Sequence, residues 1–267
     1  MKNLRIYGDS PYTVAVVHGG PGAPGEMAPV AKELSTMTGI LEPLQTKDSV
    51  VGQIEELHDV LEKNGDLPVI LIGHSWGAWL GFILTARYPS FVSKLILVGS
   101  GTFEQKYAEN IVADRLGRLN EEERIEALEL IEIINDPATT DKDKPMAKLG
   151  RQFAKADSYD PLPNSSEVLE FSEEINRRVW TEAEKMRISG ELLELGRKIK
   201  CPVVAIHGDY DTHLPEGVKE PLSRVLKNFK FVLLEKCGHE PWNEKAARDI
   251  FYDILRKEID YGFAGSE

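Results

Sequence analysis

Short runs of branched apolar residues punctuate the chain: Thr13–Val17, Ile40–Leu44, Val69–Ile72, Lys94–Ser100, Pro202–His207 and Phe229–Leu234. Each is too short for a helix and predicts a strand; Val69–Ile72 lacks polar alternation and reads as buried on both faces, Lys94–Ser100 as the next buried strand, and Ile40–Leu44 as a short strand that Pro43 disfavours. Helical spacing fills the gaps. Met27, Val30, Ala31 and Leu34 share one face of a segment from Glu26 to Met37 that Gly39 can end. Val50, Ile54, Leu57 and Leu61 share a face of a helix capped by Ser49 and closed by Asn64-Gly65. A third apolar segment, Trp79 to Leu84, runs until Pro89 forbids more helix. Strand, helix, strand, helix in that order predicts a parallel sheet with helices on both faces. The start of the chain leaves room for at most one strand before Thr13.

The pattern changes between about Thr102 and Lys200. This stretch has no comparable β-branched run, and is dense in Glu, Lys and Arg with apolar residues at helical spacing. Asn120 with Glu123 forms a capping-box signature for a helix carrying Ile125, Leu128, Ile131 and Ile134. Further helices are expected around Met146-Leu149-Phe153, around Val168-Leu169-Ile175-Val179 and around Leu192-Leu195, with a loop over Asp157–Pro163. The expected organisation is residues 1–101 as the first half of an α/β core, 102–200 as a helical cap insertion and 201–267 as the second half. A helix from Pro215 to about Leu226 and a last one from Asn243 to about Lys257 complete the second half.

Composition narrows the function classes. A net charge of −12 and a pI near 5.1 give no basic face for nucleic acid or anionic lipid. The first residues lack a signal-peptide core and no apolar run could span a bilayer, so a cytoplasmic chain without a membrane partner is expected. Cys201 and Cys237 fall at opposite ends of neighbouring strands, beyond disulfide reach, and are read as free thiols. A zinc site at Cys237 and His239 has no second ligand pair among the 2 Cys and 6 His.

The candidate chemistry sits where strands end. Val69–Ile72 turns sharply through Gly73-His74-Ser75-Trp76-Gly77 into a helix, which places Ser75 at a tight corner with glycine on either side. A serine hydroxyl needs a base to take its proton, and the base needs a carboxylate to fix its tautomer. Asp211 and His239 follow the ends of later strands, and in a parallel sheet those ends share one edge. Asp209 competes with Asp211 for the acid role, but it follows its strand closely enough to cap the turn, and Asp211 is favoured. Oxyanion donors are expected from the Trp76 N–H and from the His18-Gly19-Gly20-Pro21-Gly22 loop, where Pro21 has no N–H and Gly20 is the better candidate. His18 is read as a tie within that loop, His74, Trp76 and Trp79 as flanking residues that shape the pocket or pack the core, and Glu173 and Glu174 as part of a solvated helix face.

On these residues the chain resembles the α/β-hydrolase superfamily. The pairing of HGGPG (His18–Gly22) with GHSWG (Gly73–Gly77), followed by HGDYD and CGHEPW, is similar to the proline iminopeptidase branch. The chain departs from that branch at Leu44–Ser49, where an aspartate-glutamine-arginine-glycine stretch is usual, and at His74, where glycine usually precedes the nucleophile. The resemblance implies an α/β-hydrolase fold, a triad of Ser75, Asp211 and His239, and oxyanion donors at Gly20 and Trp76; no cofactor is expected because this chemistry requires none. The expected activity is serine hydrolysis through an acyl-enzyme on a small ester, amide or short peptide. An aminopeptidase and a carboxylesterase or C–C bond hydrolase share this machinery, and a non-catalytic small-molecule-binding hydrolase fold is the reading from another class. Oligomeric state is not legible.

Overall fold

The computed structural model describes residues 3–163 and 172–263. Its first half runs β1 (Leu4–Tyr7), β2 (Val14–Val17), α1 (Ala28–Leu34), β3 (Ile40–Pro43), α2 (Val50–Asn64), β4 (Val69–His74), α3 (Trp76–Arg87) and β5 (Val92–Val98). Then, among the described residues, come the helices α4 (Ile111–Arg118), α5 (Glu121–Asn135), α6 (Asp143–Ala156), α7 (Glu173–Ile188) and α8 (Glu191–Glu194). The sheet resumes with β6 (Val203–Gly208), α9 (Glu216–Val225), β7 (Phe229–Leu234) and α10 (Arg248–Phe263). Strand order is β1-β3-β2-β4-β5-β6-β7, parallel except where β1 runs against β3. Winding across the sheet reverses between β2 and β4, the kind of position where open α/β sheets bind ligands at the C-terminal strand ends.

The unbroken apolar runs are explained by two covered faces. Successive residues of a strand point to opposite sides, and along β4 Val69 and Leu71 enter one core while Ile70 and Ile72 enter the other. Leu95 and Leu97 separate from Ile96 and Val98 in the same way on β5. Helices α2, α3 and α9 cover the first side, and α1 and α10 the second. The helices between β5 and β6 keep a small core of their own, built on Leu119, Ala127, Leu130, Leu149 and Ala156.

Boundaries differ where tertiary ties intervene. Strand β5 covers Val92–Val98 and stops at Gly99, which turns to φ +49°. The last helix begins at Arg248 and not at Asn243, after a 3-10 turn at Pro241–Asn243. The cause is Glu244: its carboxylate accepts the N–H groups of Tyr159 at 2.7 Å, Asp160 at 2.8 Å and Gly238 at 2.9 Å. That link pins the segment in a short bridge to Pro161. The helix expected around Val168-Leu169 falls outside the described residues in its first part, and its later part is α7. Glu173 is a correction, being only 8% exposed, with its N–H on Asp143 and its carboxylate 3.2 Å from Arg177, whereas Glu174 is exposed. Cys201 and Cys237 are free.

Candidate active site

Ser75 stands between β4 and α3 at φ 52° and ψ −115°, the strained corner that the glycines permit. A Cβ on Gly73 would lie 2.2 Å from the Gly77 carbonyl oxygen, and one on Gly77 would lie 2.3 Å from that of Val17. The Ser75 N–H is tied to Val98 O at 3.0 Å, which fixes the corner against β5. His74 and His239 pack with ring centroids 4.7 Å apart, so the loop after β7 lies beside the corner.

Asp211 is 2% exposed and surrounded by donors. Its Oδ2 accepts from His239 Nδ1 at 2.7 Å, and its Oδ1 accepts the His213 N–H at 2.8 Å and Nδ1 at 3.0 Å. Burial pushes its carboxyl up, but the charges of His239, His213 and His207 and the His213 hydrogen bond outweigh that and hold it well below the usual carboxylate range. Burial pushes the His239 imidazole down, and the Asp211 charge and hydrogen bond reverse this and raise it to about 9. His213 stacks on His239 at 4.7 Å and 25°, and burial takes its own imidazole down to about 4. Of the three histidines around this carboxylate, burial pushes His213 and His207 down, and Asp211 stabilises His239 in its charged form. Asp209 instead accepts the Cys237 N–H at 3.1 Å, a turn role.

The His239 main chain is held as firmly as its ring. Its N–H donates to Asp157 O at 2.9 Å and its carbonyl lies 3.1 Å from His74 Nε2. Asp157 is fixed in turn by Arg115 and by Thr212 Oγ1 at 2.5 Å. Neither the Ser75 hydroxyl nor His239 Nε2 hydrogen-bonds to another described residue. The Asp–His link is closed and the Ser–His link is open; such contacts commonly tighten only around substrate.

In the loop after β2, the Gly19 N–H is consumed by Glu26 Oε2 at 2.6 Å. The N–H groups of Gly20 and Trp76 donate to no described group. Gly20 sits at φ +105°, where a Cβ would come within 2.8 Å of the Gly22 and Ala23 nitrogens. His18 Nδ1 donates to Gly19 O at 2.9 Å, the tie within the loop expected for it. Helix α7 braces the far side: Asn176 Nδ2 donates to Pro21 O at 2.8 Å and the Ser172 N–H to Gly22 O at 3.3 Å. The indoles of Trp76 and Trp79 are core groups, 1% and 0% exposed, with their N–H groups on Gln53 Oε1 and Gly101 O. His213, Asp157 and Glu26 are the residues the sequence reading missed. Only His213, two positions past Asp211, carried a local signal.

A carboxylate-fixed imidazole, a hydroxyl at a strained corner and two uncommitted backbone N–H groups form a set suited to acyl transfer. A separate groove of about 1040 Å³ runs along α2, lined by Thr46, Glu56, His58 and Lys63 among others, and includes none of these groups.

Comparison with known proteins bears on the family and not on these residues. A pimeloyl-[acyl-carrier protein] methyl ester esterase of Neisseria meningitidis (serogroup A) is 25% identical over 218 residues, 78% of this chain and 63% of that protein. Monoacylglycerol lipase ABHD6 of Homo sapiens is 29% identical over 195 residues, 72% of this chain and 56% of that protein. The chain thus spans less than two thirds of the length of these relatives. Among solved structures, proline iminopeptidase of Mycobacterium smegmatis superposes with a TM-score of 0.65 at 15% identity, covering 99% of this chain and 96% of that one, a likeness of fold. The profile described as alpha/beta hydrolase fold matches residues 42–246, a span that holds Ser75, Asp211 and His239, and the chain belongs to that family.

Proposed function

We propose that this hydrolase is a serine esterase working through an acyl-enzyme on a small ester, with Ser75 as nucleophile, His239 as base and Asp211 as its orienting acid. The observation that carries the reading is the 2.7 Å bond from His239 Nδ1 to the buried Asp211 carboxylate, which leaves Nε2 as the free nitrogen beside the Ser75 corner. In the first step Ser75 Oγ attacks the ester carbonyl carbon while Nε2 takes its proton. The carbonyl π pair moves to oxygen, and the Gly20 and Trp76 N–H groups receive the negative charge. Collapse breaks the bond to the leaving alkoxide, which takes the proton back from His239 and departs as the alcohol. Water then attacks the acyl carbon while His239 takes its proton; the carbon–Oγ bond breaks as His239 returns that proton to Oγ, and the acid and free Ser75 result.

The helices between β5 and β6 act in this reading as a cap over the acyl site, with Asn176 of α7 setting the oxyanion loop. The relatives named for ester cleavage favour an ester substrate over an amide.

The test is the initial rate on a short-chain aryl ester beside that on a proline arylamide, with Ser75→Ala as control. Ester turnover that falls by roughly 10⁴-fold or more in Ser75→Ala is expected. Arylamide turnover of similar size would move the assignment to an aminopeptidase, because amides have the poorer leaving group. A rate on neither that depends on Ser75 would return the chain to a binding role.

A further inference from the structure

Beside Ser75, Asp211 and His239 lies a second carboxylate–histidine pair that the mechanism above does not use. Glu26 Oε2 accepts the Gly19 N–H at 2.6 Å and lies 2.8 Å from His74 Nδ1. The opposite nitrogen of the same ring, Nε2, lies 3.1 Å from the His239 carbonyl oxygen. A carbonyl oxygen can only accept, and so can an ionised carboxylate. Each nitrogen of His74 therefore needs its own proton, and a ring with both is an imidazolium.

The surroundings support a charge-separated pair. His74 is 0% exposed, and a cation there needs a partner, which the Glu26 carboxylate supplies. Burial pushes the Glu26 carboxyl up, but the charge of His74 and its hydrogen bond, with that of the Gly19 N–H, bring it below the usual range. The other titratable groups facing the pair are His18 at the end of β2, and His239 and Glu240 in the loop after β7. Burial and the Glu26 charge push the Glu240 carboxyl up, against the pull of His74, His239 and its Asn243 hydrogen bond. Trp242 closes the ring from the side, edge-on at 4.7 Å.

What the pair joins matters more than its charge. Gly19 adjoins the Gly20 N–H, His74 adjoins Ser75, and the third contact is the backbone of His239 itself. We propose that Glu26 and His74 are a positioning pair: an imidazolium bridged to a carboxylate locks the oxyanion loop, the nucleophile corner and the base loop to one another. Neither residue touches the reacting atoms, and the inference rests on the serine-hydrolase reading for its effect on rate. A neutral His74 would turn one lone pair toward an acceptor, and one of the loops would be released.

Two readouts test it. In protein labelled with ¹⁵N-histidine, the His74 ring, identified by its absence in His74→Gln or, if that variant does not fold, in His74→Asn, is expected to carry protons on both nitrogens at neutral pH. In Glu26→Gln, which keeps the size and the Gly19 contact but not the charge, one of them is expected to be lost. A His74 ring with a single proton in the parent protein overturns the proposal without reference to activity. On the rate side, Glu26→Gln and His74→Gln should each lower kcat for the ester roughly 10- to 100-fold with little change in KM, the size expected when reacting groups are misplaced. The double variant should be no slower than the slower single one, since the two act as a unit. Glu26→Gln turning over at the parent rate would also overturn the proposal. A parent protein that fails to label with a serine-directed phosphonate would sink the hydrolase reading instead, and the His74 spectrum would still decide the pair.

Discussion

His239 and His213 share one carboxylate and end with opposite properties, and the difference reaches the pH profile. In the proposed mechanism His239 must be neutral to take the Ser75 proton, and Asp211 raises it towards about 9. Its free-enzyme titration governs kcat/KM, so kcat/KM is expected to rise with pH through an inflection above 6.5. In Asp211→Asn the carboxylate is gone, so the inflection should move to lower pH while the rate falls by roughly 10⁴-fold. A stopped-flow series of ester hydrolysis against pH for both proteins checks this. Stability follows the same groups with definite signs. The depressed Asp211 carboxyl stabilises the fold above its unfolded value and ceases to as pH falls through its lower folded value. His213 is held neutral, so its contribution is complete above about 6.5 and is lost as pH falls through about 4. His239 works the other way, complete below about 6.5 and lost as pH rises through about 9.

The strands and most helices of this chain could be read from periodicity because both faces of the sheet are covered and each strand is short. Ser49 caps α2 as its sequence suggests, accepting the Gly52 N–H, and Asn120 with Glu123 closes a true capping box on α5. Asn120→Ala is expected to cost about 1 kcal/mol, read by urea denaturation. The tight Ser75 corner was legible for a stronger reason. A Cβ on Gly77 would meet the carbonyl oxygens of Val17 at 2.3 Å and His18 at 2.6 Å, so β2 and α3 would have to separate. Gly77→Ala should lower stability by about 1–3 kcal/mol and reduce Ser75 labelling with it. What the sequence hid was ties between distant segments. Nothing near Glu244 announces that three backbone N–H groups from elsewhere converge on it, and nothing near Glu26 announces His74 as its partner. Pattern reports which face a residue presents; it does not report which buried polar group answers it.

At the scale of the molecule, the C-terminal helix is fastened to the centre of the sheet by charge as well as by packing. Lys94 of β5 reaches Glu258 of α10, with its Nζ 3.0 Å from the carboxylate and 2.6 Å from the main-chain oxygen, and Lys230 of β7 joins the same carboxylate. Lys94→Ala removes the buried partner of Glu258 and leaves only Lys230 on that carboxylate, and should destabilise the fold by about 1.5–3 kcal/mol, whereas Lys94→Met should cost less; thermal unfolding would rank the two. The hold of α7 on Pro21 and Gly22 has a consequence of another kind. The helices after β5 leave the sheet and return to it between two neighbouring parallel strands, so the segment could be exchanged for a relative's without disturbing strand register. Any transplant would still have to present an asparagine where Asn176 meets Pro21. A chimera lacking that contact would fold, display an intact Ser75 corner and work slowly on every substrate, which would make oxyanion-loop support, and not substrate fit, the first thing to repair when redesigning specificity on this scaffold.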